Sequence, residues 1–146
     1  AAFLAAHPKV SEVFHPSLTT HPDAKAIAKD YLRHGSLLSF RVAEADEDRT
    51  RHYADVLATC VIVRYALSFD GLATKVNHHK TVSEYFTPVD RLQRNGFDRL
   101  IRLAVGLEDA DDLCAALNWT LHHADSISTA DIQRWQERRM AELGVS

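Results

Sequence analysis

Two positions in this chain are placed where they could do chemistry. The first is Arg102. In the run Arg99–Val105, strand alternation sends Ile101, Leu103 and Val105 to one side, with Arg99 leading in on that side, and Leu100, Arg102 and Ala104 to the other. A guanidinium in the middle of an apolar strand is costly to bury unpaired. Arg102 therefore either pairs with a carboxylate of its own domain, snorkels to a sheet edge, or awaits an anionic ligand; on the residues alone the first two are the commoner arrangements. Arginine is also the side chain best shaped to take a carboxylate with two parallel hydrogen bonds. The second position is Ser68, at the end of the β-branched and aromatic run Val61–Leu67, in which Ile62, Arg64, Ala66 and Ser68 share a face. The break Ser68-Phe69-Asp70-Gly71 follows it.

The other reactive residue types form no recognisable constellation. Nine histidines invite a metal, but His78-His79 and His122-His123 are adjacent pairs, and neighbours on a helix or strand do not converge on one ion. No His-Glu-x-x-His or Cys-x-x-Cys spacing occurs, so solvated or capping histidines are expected and no metal site. Cys60 and Cys114 sit among apolar residues and read as reduced thiols. No nucleophile elbow supports a serine triad, and the glycines are too scattered for a phosphate loop. A net charge of −3 without a basic run gives no footprint for nucleic acid or an anionic membrane. No apolar run is long enough to span a bilayer, and Ala1–Ala6 has no charged leader. Apolar residues at 46% and charged residues at 25% are ordinary for a globular cytoplasmic domain. The start reads as a cut into a longer chain.

The elements that must position Arg102 and Ser68 follow from periodicity. Ala1–Ala6 reads as a helix tail ending before His7-Pro8, and Val10–His15 as a short strand. A helix is expected from Pro22, with Ala24, Ile27, Ala28, Tyr31 and Leu32 on one face and Gly35 as its stop. Leu37–Val42 is a strand, and Asp46–Thr59 a helix with Tyr53, Val56, Leu57 and Cys60 along one side. Residues 72–98 read as irregular, punctuated by Pro88 and Gly96. After the strand Arg99–Val105, Asp109, Asp111 and Asp112 crowd a helix start whose seam is Leu113, Leu117 and Leu121. A last helix starts at Ser128 or Thr129, with Asp131 as a capping partner, and ends at Gly144. The predicted fold is α/β (α+β): a small, antiparallel-rich sheet covered by helices on one face, forming one domain over residues 1–146, with 124–146 as a terminal helical extension. That last helix packs back on its own domain or contacts a partner subunit.

The block Leu100-Ile101-Arg102-Leu103-Ala104-Val105-Gly106-Leu107-Glu108-Asp109, with Ala110-Asp111-Asp112-Leu113 after it, resembles the C-terminal signature of the Cys/Met-metabolism family of pyridoxal-phosphate enzymes. That family includes the cystathionine synthases and lyases, methionine γ-lyase and the O-acetylhomoserine sulfhydrylases. His7–Pro16, Thr20-His21-Pro22, Gly35–Phe40 and Ala66–Gly71 agree in order and spacing, so the similarity spans about residues 3–122. The resemblance implies the C-terminal small domain of a fold-type I enzyme. Arg102 would then bind the substrate α-carboxylate, and Ser68 would lie beside the cofactor lysine and substrate. It further implies a lyase or transferase of transsulfuration and amino-acid biosynthesis, with pyridoxal 5'-phosphate held by a large domain or complementary subunit. The complete enzyme would be a homo-oligomer, and this chain alone would be inactive and carry no covalently bound cofactor, since Lys9, Lys25, Lys29, Lys75 and Lys80 lie in no segment resembling the Schiff-base site. Two departures stand out: Ser-Phe-Asp-Gly replaces Ser-Leu-Gly-Gly, which puts Asp70 at a turn position, and Val82-Ser83-Glu84 replaces Met-Thr-His. Leu67 stands where family members that handle cystathionine carry an acidic residue, which leans towards a substrate with an apolar side chain. The alternative reading is a stand-alone, non-catalytic domain that binds a partner chain or an amino acid.

Overall fold

The structure, a computed structural model, describes residues 1–69 and 71–144. Helix α1 (Ala2–Ala5) leads into β1 (Val10–Phe14), and α2 (Ala24–Asp30) leads into β2 (Leu37–Val42). Helix α3 (Glu47–Leu57) follows, then β3 (Val63–Tyr65), β4 (Thr74–His78), α4 (His79–Ser83) and α5 (Val89–Asn95). A 3-10 turn, Phe97–Arg99, enters β5 (Ile101–Ala104), and α6 (Ala110–His123) and α7 (Thr129–Glu142) complete the chain.

Local chemistry sets these boundaries. Asp46 caps α3 by accepting from the Arg49 amide, and Asp109 caps α6 by accepting from the amides of Asp111 and Asp112. Ser128 and Asp131 form a reciprocal capping box at the start of α7. The expected helix from Pro22 starts later, at Ala24, with Asp23 as its cap. It closes at Tyr31, four residues short of Gly35, and buries no residue, so no packing extends it.

The sheet runs β1-β2-β5-β4-β3. β1 with β2, β2 with β5, and β4 with β5 are antiparallel; β3 with β4 is parallel. One face is apolar. Leu38, Phe40, Val42, Val63, Val76, Ile101 and Leu103 are buried there and pack with Tyr53, Val56 and Leu57 of α3 and Leu113, Leu117 and Leu121 of α6. The opposite face carries Ser39, Arg41, Lys75, Asn77 and Arg102 at the alternate positions. Ile132 of α7 is buried in the same core, so the terminal helix packs back on its own domain.

Three expectations give way. The strand Val61–Leu67 shortens to an edge strand of three residues, β3. Arg99 is not in the strand but in the 3-10 turn, half exposed. The stretch 72–98 is not irregular: it holds β4, an inner strand, and two short helices. Among the described residues no helix is long and apolar enough to cross a membrane.

Candidate functional site

Arg102 sits near the middle of the polar face, with Ser39 of β2 on one flank and Asn77 of β4 on the other. Its guanidinium is half-buried and asymmetrically held. Nη1 donates to His79 Nδ1 at 3.0 Å and to Ser83 Oγ at 2.6 Å. These acceptors are four residues apart, one turn of α4, so a single short helix presents both. The Phe69 ring covers the guanidinium plane, with Cζ 3.9 Å from its centroid. Among the described residues no carboxylate pairs with Arg102, and its Nε and Nη2 have no protein acceptor. Nη1 is saturated, while the Nε–Nη2 edge keeps its donors in the side-on arrangement that fits a carboxylate. Burial draws this guanidinium below its ordinary pKa, and the charge of Glu84 works in the opposite direction.

His79 is oriented from both sides. Arginine has no acceptor atom, so Nδ1 must accept from Arg102 and the ring proton lies on Nε2. Nε2 faces Glu84 Oε1 at 3.5 Å, and Thr87 donates to the other oxygen of Glu84 at 2.5 Å. The imidazole also packs perpendicular to the Phe97 ring, with centroids 5.2 Å apart. Burial lowers the His79 pKa, the neighbouring Arg102 charge lowers it further, and Glu84 partly opposes both. His78, fully buried, points to the other side: its Nε2 donates to the Asp98 carbonyl and its Nδ1 accepts from Thr81, each at 2.7 Å. The adjacent pair thus serves two opposite faces. Solvated or capping histidines are therefore the wrong description for His78 and His79, because backbone and side-chain partners distant in sequence enclose them. Among the described residues no three His, Cys, Asp or Glu side chains gather as metal ligands, and both cysteines are free.

Ser68 is exposed and precedes Phe69, the residue whose ring lies on Arg102. The connection between β3 and β4 is pinned at both ends. Ala66 donates to the Val76 carbonyl and accepts from Asn77 Nδ2 at 2.9 Å, and the Leu72 carbonyl accepts from the Leu107 amide at 2.8 Å. Asp70, which stands where the family has a turn glycine, lies outside the described residues. The end of β5 is locked to β4 by Glu108, whose oxygens accept from the Thr74 amide at 2.7 Å and the Thr74 hydroxyl at 2.6 Å. The Gly106 amide donates to the same hydroxyl oxygen. Burial pushes the Glu108 carboxyl up, but the hydrogen bonds from Thr74 outweigh it and hold the group below its ordinary pKa. A Cβ on Gly106 would lie 2.3 Å from the Leu72 carbonyl oxygen, so only glycine fits where these strands meet.

Residues 1–122 match the profile of the family described as Cys/Met metabolism PLP-dependent enzyme. The chain belongs to that family. Among curated Cys/Met-metabolism relatives, it is 34% identical over 128 residues to cystathionine gamma-synthase 1, chloroplastic, of Nicotiana tabacum, covering 87% of this chain and 22% of that protein. It is 31% identical over 116 residues to L-methionine gamma-lyase of Fusobacterium nucleatum, covering 79% of this chain and 28% of the relative. Among solved structures, cystathionine gamma synthase from Xanthomonas oryzae pv. oryzae in complex with cystathionine superposes with a TM-score of 0.74 at 28% identity, over 86% of this chain and 32% of that one. The chain thus spans under a third of the length of these family members. Helix α7 lies beyond the matched segment.

Arg102, Gly106 and Glu108 all fall within the signature block that carried the resemblance. Sequence reasoning missed His79, Phe69 and Asn77. The spacing of His79 and Ser83 is the one local signal that could have been read, and it has meaning only once residues 79–83 are known to be helical.

The family's cofactor is pyridoxal phosphate. The lysines here do not suit it. Lys9 pairs with Asp125 and Lys80 with Glu47, Lys25 and Lys29 are exposed on α2, and Lys75 lies in β4 with its Nζ beside Gly71. Among the described residues no lysine stands alone in an enclosed cavity.

Proposed function

We propose that this chain is the small-domain wall of a pyridoxal-phosphate-dependent lyase or transferase acting on sulfur amino acids or homoserine esters. Arg102 anchors the substrate α-carboxylate, and Ser68 lies beside the reacting groups. The Nε–Nη2 edge of Arg102 carries this reading: it is a half-buried cation held by neutral acceptors and an aromatic face, with donors left over in the geometry a carboxylate takes. Family membership supports the reaction class. The cofactor, which supplies the electron sink for such chemistry, is held by the large domain or a complementary subunit, and the 146-residue chain alone is inactive. Residues 1–146 form one small domain with 124–146 as its helical extension, working in a cytoplasmic homo-oligomer.

Arg102 acts here by position and charge alone. It fixes one end of the amino acid so that the reacting carbons lie in a constant place, and it excludes water from the carboxylate it binds. Arg102→Ala in the complete enzyme should lower kcat/KM by about a hundredfold, the loss of a charge-assisted bidentate contact. Unchanged kinetics would reject the assignment.

A further inference from the structure

We propose that His79, itself set by Glu84, is the positioning residue for Arg102: it selects which edge of the guanidinium faces the ligand. The inference rests on Arg102 as carboxylate anchor and adds a residue to that site.

The geometry restricts what each atom can do. Nη1 has two protons; His79 Nδ1 takes one and Ser83 Oγ the other. With Nη1 spent, the guanidinium can present only Nε and Nη2 outward. An acceptor on α4 therefore decides between side-on and end-on presentation of a planar group that its flexible aliphatic stem could otherwise turn either way. Nδ1 accepts only while the imidazole is neutral and its proton is on Nε2. Glu84 favours that tautomer, because its Oε1 lies 3.5 Å from Nε2 and can accept but not donate. Thr87 donates to Oε2 of Glu84, and the imidazole packs perpendicular to the Phe97 ring, so both the carboxylate and the imidazole are held. Ser83 alone cannot do the same work. It is one hydroxyl at the open end of α4, whereas His79 is the more enclosed of the two groups.

The test uses the full chain, isotope-labelled at histidine and arginine, with acetate as the carboxylate probe at constant ionic strength. At neutral pH the His79 nitrogen shifts should report a neutral ring protonated at Nε2, and the two Nη1 protons of Arg102 should be resolved. His79→Leu should merge those proton signals and weaken acetate binding by about tenfold. His79→Asn, whose amide oxygen can replace the Nδ1 acceptor, should restore affinity to within about threefold of wild type. A merely structural role would give no such rescue and no fixed tautomer. Wild-type-like acetate binding in His79→Leu, together with its loss in Arg102→Ala, would overturn the positioning role and leave the anchor standing. Wild-type-like binding in Arg102→Ala would overturn both. An Nδ1-protonated or charged ring at neutral pH overturns the positioning role without any variant, so the proposal does not depend on His79→Leu folding.

Discussion

Two arginines of the sheet's polar face, Arg41 and Arg102, stand in unlike surroundings. Arg41 is closed. It pairs with Glu12, donates through Nε and Nη2 to the carbonyls of Gly96 and Asn95, and covers the Phe14 ring with Cζ 5.0 Å from the centroid. Arg102, one strand away, has an aromatic partner and neutral acceptors but no carboxylate among the described residues. Both obey the rule that a part-buried cation needs compensation. Arg41 takes its compensation entirely from the protein and ties β1, β2 and the end of α5 together. Arg102 takes only enough to hold its orientation. On the proposed reading, an arginine that is oriented but has no carboxylate partner among the described residues takes its counter-charge from the substrate.

That contrast can be broken in several ways. Arg102→Ala should produce the largest loss of substrate use, about a hundredfold, with the melting temperature little changed; Arg41→Leu should do the reverse. Its cost should be about 1–2 kcal/mol of stability, because three hydrogen-bond acceptors lose their donor on a partly exposed surface. Chemical denaturation alongside carboxylate titration measures both quantities. If Arg41→Leu weakens carboxylate binding as strongly as Arg102→Ala, the division of labour is wrong. Gly106→Ala should cost about 3 kcal/mol, since the new Cβ overlaps the Leu72 carbonyl and neither backbone can retreat without opening the lock at Thr74. A melt within experimental error of wild type would show that the lock is loose.

Two smaller effects depend on pH. The Asp125 carboxyl is held down to about 2, first by the hydrogen bond from Arg49, then by Tyr53 and the charges of Arg49 and Lys9, against an opposing push from burial. Its folded pKa is depressed, so its contribution is complete above the unfolded value near 3.9 and is lost as pH falls from there towards about 2. The group is over a third exposed, so the effect should be no more than about 1 kcal/mol and should shrink in high salt. His79 behaves differently. Its folded pKa is also lowered, but the favoured form is the neutral one. Stability from this site is complete above 6.5 and falls as pH drops below it, because the unfolded chain takes up the proton first. Acid melts of wild type and His79→Asn should diverge below that point; parallel curves would remove His79 from the account.

How much of this was legible in the sequence depended on where each residue's partners lie. β2 and β5 show alternation that one face of the sheet enforces, and α3, α6 and α7 carry caps whose partners are two or three residues away. Arg102 stood out for the same reason, as a charge in an apolar strand. β4 was hidden because its buried positions Thr74, Asn77 and His78 are polar. Their satisfaction comes from Glu108, the Ala66 carbonyl and the Asp98 carbonyl, none of which is a local neighbour. A strand whose core residues need distant partners leaves no periodic trace. His79 was lost with it, since its role depends on β4 delivering α4 to the side of Arg102.

The parallel pairing of β3 with β4 has a last consequence. Parallel neighbours are ordinarily joined by a long crossover containing a helix. Here Tyr65 and Thr74 are joined by residues 66–73 alone, so the chain must double straight back along the sheet before β4 can begin in register. Phe69 on Arg102 shows which face it crosses. Ala66 is tied to β4 and the Leu72 carbonyl to Leu107, so the connection is fixed at both ends while Phe69 lies on the guanidinium. The ring that lies on Arg102 is thus carried by the link between two parallel strands, and β3 and β4 set where it enters and leaves the polar face.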